Sequence, residues 1–157
     1  MNSLTMTTDP SALPTDAATA SQSKSFTRFF PIAARVLMGL AFFVSGLNGF
    51  LNFLPQPKVA LPEGALAFAG ALMKTGYMMP LIFGTQLVVG ALLLANRFVP
   101  LALVLIAPFL VNSVAFHIFL EPSGLVMAGI FAALEIYLAW AYRRAYYPLL
   151  TPRSAPF

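Results

Sequence analysis

The sequence predicts an all-α integral membrane protein: a four-helix bundle with both termini cytoplasmic and a short extra helix in the first outer loop. Three observations point there. Hydrophobic residues fill 59% of the 157 positions and charged residues only 9%, outside the composition of soluble domains. Four apolar stretches, at about 30–54, 77–95, 98–120 and 124–147, approach or exceed the ~20 residues needed to cross a ~30 Å hydrocarbon core. With four spans, Lys24, Arg28, Arg97, Arg143, Arg144 and Arg153 share one side, whereas Lys58 and Lys74 on the other are offset by Glu63 and Glu121. The positive-inside rule makes the first side cytoplasmic.

Residues 1–29 are expected to be a disordered cytoplasmic tail, because Ser, Thr, Ala, Asp and Pro dominate its start with no basic-then-apolar signal pattern. The first span, 30–54, carries Arg35 about one turn inside its start. That arginine either snorkels to the headgroups or turns inward to pair with an acidic group or an anionic ligand. Ala41, Ser45, Asn48 and Asn52 follow a 4-3-4 spacing, a small and polar face on which Asn48 serves as helix glue or as a ligand contact.

Pro55, Pro57 and Pro62 then break the chain, and 63–74 reads as a helix too short to cross. It is expected at the outer interface or folded back over the bundle as a cap. The second span, 77–95, holds Gln86 near its midpoint. Asn96 and Arg97 make a connection so tight that the second and third spans must be antiparallel neighbours. The third, 98–120, has Pro108 well inside, Asn112 one turn beyond on the same face, and His117 near its outer end, about 140° around from Asn112 at ~100° per residue. Residues 121–124 turn the chain into the fourth span, 124–147, and 151–157 form a short tail.

Glu135 lies about halfway along the fourth span. An ionised carboxylate at that depth costs several kcal/mol unless paired or protonated, so it should face protein. Ala128, Ala132 and Ala139 share its helix face and would let a neighbouring backbone approach closely. Trp140, Tyr142, Tyr146 and Tyr147 around Arg143 and Arg144 read as an interfacial belt. Taken together, Glu135, His117, Asn112, Gln86 and Asn48 are the candidate ligand-binding residues, expected around a polar pocket in the outer half of the bundle. With no cysteine and one histidine, the chain holds no thiol chemistry, no cysteine-ligated cluster and no haem-ligand pair. No catalytic residue or metal site is assigned. The net charge of +4 is spread at span ends, which fits topology and a lipid bilayer, not nucleic acid.

The texts ARVLMGLAFFVSGLNGFLNFLPQP at 34–57, GALMKTGYMMPLIFGTQLVVGALLLANRFVPLALVLIAPFLVN at 70–112, FHIFLEPSGL at 116–125 and LEIYLAWAYRRAYYPLL at 134–150 resemble the DoxX family of small bacterial integral membrane proteins. The resemblance covers roughly 34–150. It implies a compact four-helix bundle in the bacterial cytoplasmic (inner) membrane, and relatives linked to membrane redox work. The family pattern is often acidic at Gln86 and often lysine at Gly49, so the likeness implies a charge lost at each site and weakens a proton relay through them.

Two readings of function stand at this stage. One is a redox-linked accessory subunit that binds a membrane quinone or another amphipathic ligand within the bundle and has no independent catalytic activity. The other is a non-catalytic assembly protein, packing its polar face against partner subunits or a second copy. A transporter is the weakest alternative, because no inverted repeat or charged pathway is visible.

Overall fold

The computed structural model describes residues 16–55 and 60–150; the tail residues 1–15, the stretch 56–59 with Lys58, and 151–157 lie outside the described residues. The described chain is all-helical. In order come α1 (Asp16–Leu51), α2 (Glu63–Lys74), α3 (Met78–Leu94), α4 (Val99–Phe119) and α5 (Leu125–Ala141), with 3-10 turns at Pro122–Gly124, Arg143–Ala145 and Tyr147–Leu150. Helix α1 begins at Asp16, well ahead of the residue 30 expected for the first span, and runs through Pro31. Helix α5 stops at Ala141, short of the expected 147, and the chain continues in 3-10 turns.

Among the described residues, three segments are long and apolar enough to cross a membrane: Phe29–Leu51, Val99–Phe119 and Pro122–Ala141. Helices α2 and α3 meet that test only together, and they are bent by 90° at the break between them, so the described residues hold up to four candidate spans. Many apolar side chains point outward, Phe119, Val126, Val111 and Ile136 among the most exposed, as lipid contact requires.

The contacts run α1 to α3, α3 to α4, α4 to α5 and α5 back to α1. Met38, Val89, Leu93, Leu103, Ile106 and Leu138 are fully buried between them. The tightest of these contacts is the antiparallel α1/α3 pair, and glycines set its spacing. A Cβ on Gly46 would lie 2.6 Å from the Leu87 nitrogen and 2.7 Å from the Phe83 oxygen. One on Gly90 would lie 2.6 Å from the Phe43 Cα. At Gly49, the Phe83 ring occupies the place a Cβ would take, so a lysine there is incompatible with this packing.

The packing face of α1 is therefore Arg35, Met38, Gly39, Phe42 and Gly46, all buried. The expected 4-3-4 face turns partly away: Ser45 and Asn52 are exposed, Ala41 and Asn48 half-buried. Without a hydrophobic force between helices in lipid, close backbone approach decides the interface, and glycines permit it where polar side chains do not. On α5 the expected face does pack, with Ala128 and Glu135 buried and Ala132 and Ala139 half-buried.

The α3–α4 connection is as tight as its sequence requires. Asn96 takes φ 53°, Asn96 N–H donates to the Leu93 carbonyl at 3.2 Å, and Arg97 N–H to the Leu92 carbonyl at 3.0 Å. That is a Schellman closure with asparagine in the left-handed position. Arg35 completes the helix end: its Nη1 donates to the Leu93 carbonyl and, at 3.5 Å, to that of Leu94. Of its two expected orientations it takes the inward one. Its partners are the last carbonyls and negative dipole end of α3, not a carboxylate.

Candidate functional site

The five candidate residues fall into four separate depressions. Gln86 and His117 meet in a cavity of about 420 Å³ bounded by α1, α3, α4 and α5. Asn48 lies on a groove along α1, where its Oδ1 accepts the Leu54 N–H at 2.7 Å and so closes the turn after that helix. Asn112 and Pro108 line a groove between α3 and α4 together with Phe68 and Leu72 of α2. Glu135 lines a fourth depression between α4 and α5. Helix α2 packs beside the end of α4, with Phe68 and Phe116 ring centroids 5.6 Å apart. It does not line the cavity that holds His117, so it is no lid over that site.

The shared cavity has an aromatic wall and a few polar points. Phe42 stands edge-on to Phe109 at 6.1 Å and tilted against Phe131 at 5.7 Å, and all three rings line the space. Ser45, Gln86, Ser113 and His117 are its polar side chains. Gln86 is only 3% exposed, and its Oε1 has no hydrogen-bond partner among the described residues. A buried, unsatisfied amide oxygen is costly, of the order of 1–3 kcal/mol. Ser45 on α1 and Met127 on α5 are exposed lining residues, so the cavity opens sideways between these two helices.

His117 is held from behind. Its Nδ1 lies 2.8 Å from the Glu121 carbonyl oxygen and 3.0 Å from Glu121 Oε2. Both neighbours are acceptors, so Nδ1 carries the hydrogen and donates. Neutral His117 therefore offers Nε2 as an acceptor, and Nε2 forms no hydrogen bond with the described residues. The ring lies where a Cβ on residue 124 would be, which makes Gly124 a requirement of this rotamer.

Glu121 is itself fixed. Its carboxylate accepts from the Ser123 hydroxyl, from Ser123 N–H at 3.2 Å and from Gly124 N–H at 3.2 Å. The Ser123 hydroxyl first, with the backbone N–H groups and His117 adding to it, holds the Glu121 carboxyl below its ordinary range despite its burial. Glu121 stands outside the candidate set because it reads as a turn residue. The signal that finds it is its i,i+4 spacing from the only histidine, directly before Pro-Ser-Gly. The aromatic wall has no such signal, because phenylalanines abound in every span.

At the opposite end of the helices, Tyr146 donates to the Pro100 carbonyl at 3.1 Å. Arg143 lies 4.5 Å above the Trp140 ring and donates to its carbonyl at 3.0 Å. Among the described residues no group of three or more His, Asp or Glu side chains is placed to hold a metal ion. Comparison of the chain with protein-family models, with curated proteins and with solved structures finds no match.

Proposed function

We propose that the chain is a DoxX-like four-span protein of the bacterial inner membrane with both termini cytoplasmic. We propose further that it serves as a redox-linked accessory subunit, binding a quinone-like ring in the cavity between α1, α3, α4 and α5. The observation that carries the reading is His117: anchored through Nδ1 by Glu121, it presents a free Nε2 to an aromatic-walled cavity. The family likeness, which rests on sequence text, adds the redox context.

The residues fit such a ring. The cavity is within the ~300–1,000 Å³ typical of small-molecule sites. Three phenylalanines supply stacking and edge contacts for a flat ring. The lateral opening between α1 and α5 admits a lipid-soluble molecule without passage through water. A quinone supplies reversible two-electron, two-proton chemistry. The chain's part is to bind it and hold a proton at one ring oxygen. Neutral His117 accepts from a ring hydroxyl at Nε2, and protonated His117 donates there to a ring carbonyl, so one side chain serves both oxidation states. Electron transfer falls to a partner, since one histidine and no cysteine give this chain no carrier of its own.

The test is quinone and quinol binding by native mass spectrometry of gently extracted protein, with the ring analogue added. His117→Ala is expected to weaken binding about tenfold, the value of one good hydrogen bond in a dry site. Asn112→Ala and Asn48→Ala, in their separate grooves, are expected to leave it unchanged. Equal affinity in wild type and His117→Ala overturns the reading. A bare wild type accompanied by another polypeptide favours the assembly protein instead.

A further inference from the structure

The Glu135 depression is not part of the cavity just described. It is a groove of about 370 Å³ between α4 and α5, lined by Ala107, Leu110, Val111, Val114, Ala132 and Ile136 beside the carboxylate. Every lining side chain other than Glu135 is apolar. Val111 is 71% exposed and Ile136 70% exposed, so the groove opens to the side of the molecule that lipid would cover. Glu135 is only 9% exposed, and its Oε2 has no hydrogen-bond partner among the described residues.

Arg35, the buried arginine, is engaged on the α3 carbonyls. No described lysine or arginine forms an ion pair with Glu135. The Tyr146 phenol titrates above its usual value through burial and, secondarily, the charge of Glu135. That hydroxyl already donates to Pro100. A carboxylate deep in an apolar groove, with no internal donor, calls for a partner that brings its own positive charge and its own apolar body.

We infer that the α4/α5 groove is a second binding site, for a lipid-soluble amine or other hydrophobic cation, with Glu135 as its counter-ion. The apolar chain lies along Val111, Val114 and Ile136 while the cationic head reaches the carboxylate from the lipid side. The site is independent of the quinone reading, since neither His117 nor Gln86 lines this groove.

Dicyclohexylcarbodiimide, which modifies carboxyl groups reachable from an apolar phase, provides the test on the intact chain in lipid nanodiscs. Adduct formation at Glu135 is followed by peptide mass spectrometry, with n-dodecylamine or n-dodecanol as the competing probe. The expected result is labelling at Glu135, slowed about tenfold or more by the amine and little by the alcohol, the difference being one charge. His117→Ala should label and be protected like wild type, which separates this site from the cavity. Glu135→Gln should lose the adduct while melting no lower than wild type, because it replaces an unpaired buried carboxylate with a neutral isostere. Absence of labelling in wild type overturns lipid-side access. Equal protection by amine and alcohol, or by neither, overturns the cation assignment.

Discussion

Glu121 and Arg35 show how single polar side chains are positioned in a chain with few of them. Glu121 orients His117 and closes the turn before α5. Because its folded carboxyl titrates below the unfolded value, it stabilises the fold fully above the unfolded value, and that contribution is lost as pH falls through the depressed folded one. Glu121→Gln is therefore expected to lower the thermal midpoint at neutral pH. The difference from wild type should vanish in acid, as melts across the pH range would reveal; a gap independent of pH would assign Glu121 a purely steric role. Arg35 acts at the other end, where it supplies N–H donors to the α3 carbonyls. Arg35→Met should cost about 2 kcal/mol by stripping those carbonyls of a charged donor, measured by denaturant titration in detergent. No loss would mean that the Schellman closure at Asn96 suffices alone.

At the scale of elements, the α1/α3 pair depends on backbone approach. Gly90 faces the Phe43 backbone, which cannot swing away as a side chain can. Gly90→Ala is expected to destabilise by about 1–3 kcal/mol. Gly129, whose Cβ would meet nothing within 4 Å, provides the contrast. Gly129→Ala should be neutral or stabilising by up to ~1 kcal/mol through helix propensity alone. Equal effects in a thermal-shift comparison would mean that propensity, not packing, governs these glycines. The α3–α4 connection works in the same direct way: Asn96 adopts the left-handed conformation its side chain tolerates, and the helix ends there.

For the whole molecule, Arg97 in the α3–α4 connection and Arg143 and Arg144 after α5 lie at one end of the helices. Lys74 at the close of α2 and the Glu121 turn lie at the other. On the proposed topology, with both termini cytoplasmic, an impermeant maleimide applied to intact cells should label Lys74→Cys and spare Arg97→Cys until the membrane is opened. The chain has no native cysteine to confuse the readout. Labelling of Arg97→Cys from outside would invert the orientation. The separation of the His117 cavity from the Glu135 groove is also a property at this scale, since it follows from which helices flank α4 on each side.

Much of the architecture was legible in the one-dimensional text. Long apolar stretches, the proline-broken loop with its short 63–74 helix and the Asn96–Arg97 turn follow from local chemistry: hydropathy, missing N–H donors and left-handed tolerance are properties of single residues and short runs. The packing face of α5 was legible for the same reason, through its alanine spacing. The grouping of the polar residues was not. Depth along each span places Gln86 and Glu135 near the midplane, Asn112 slightly further out and Asn48 and His117 in the outer third, but depth does not say which helix lies beside which face. Only the tertiary contacts decided that Gln86 and His117 share a cavity, that Asn48 closes a turn, that Asn112 lines a groove with α2, and that buried Glu135 lines a groove between α4 and α5. The glycine seam decided part of it in turn: where α1 and α3 approach to backbone contact, the rotation of these two helices is fixed, and with it the directions of Asn48 and Gln86.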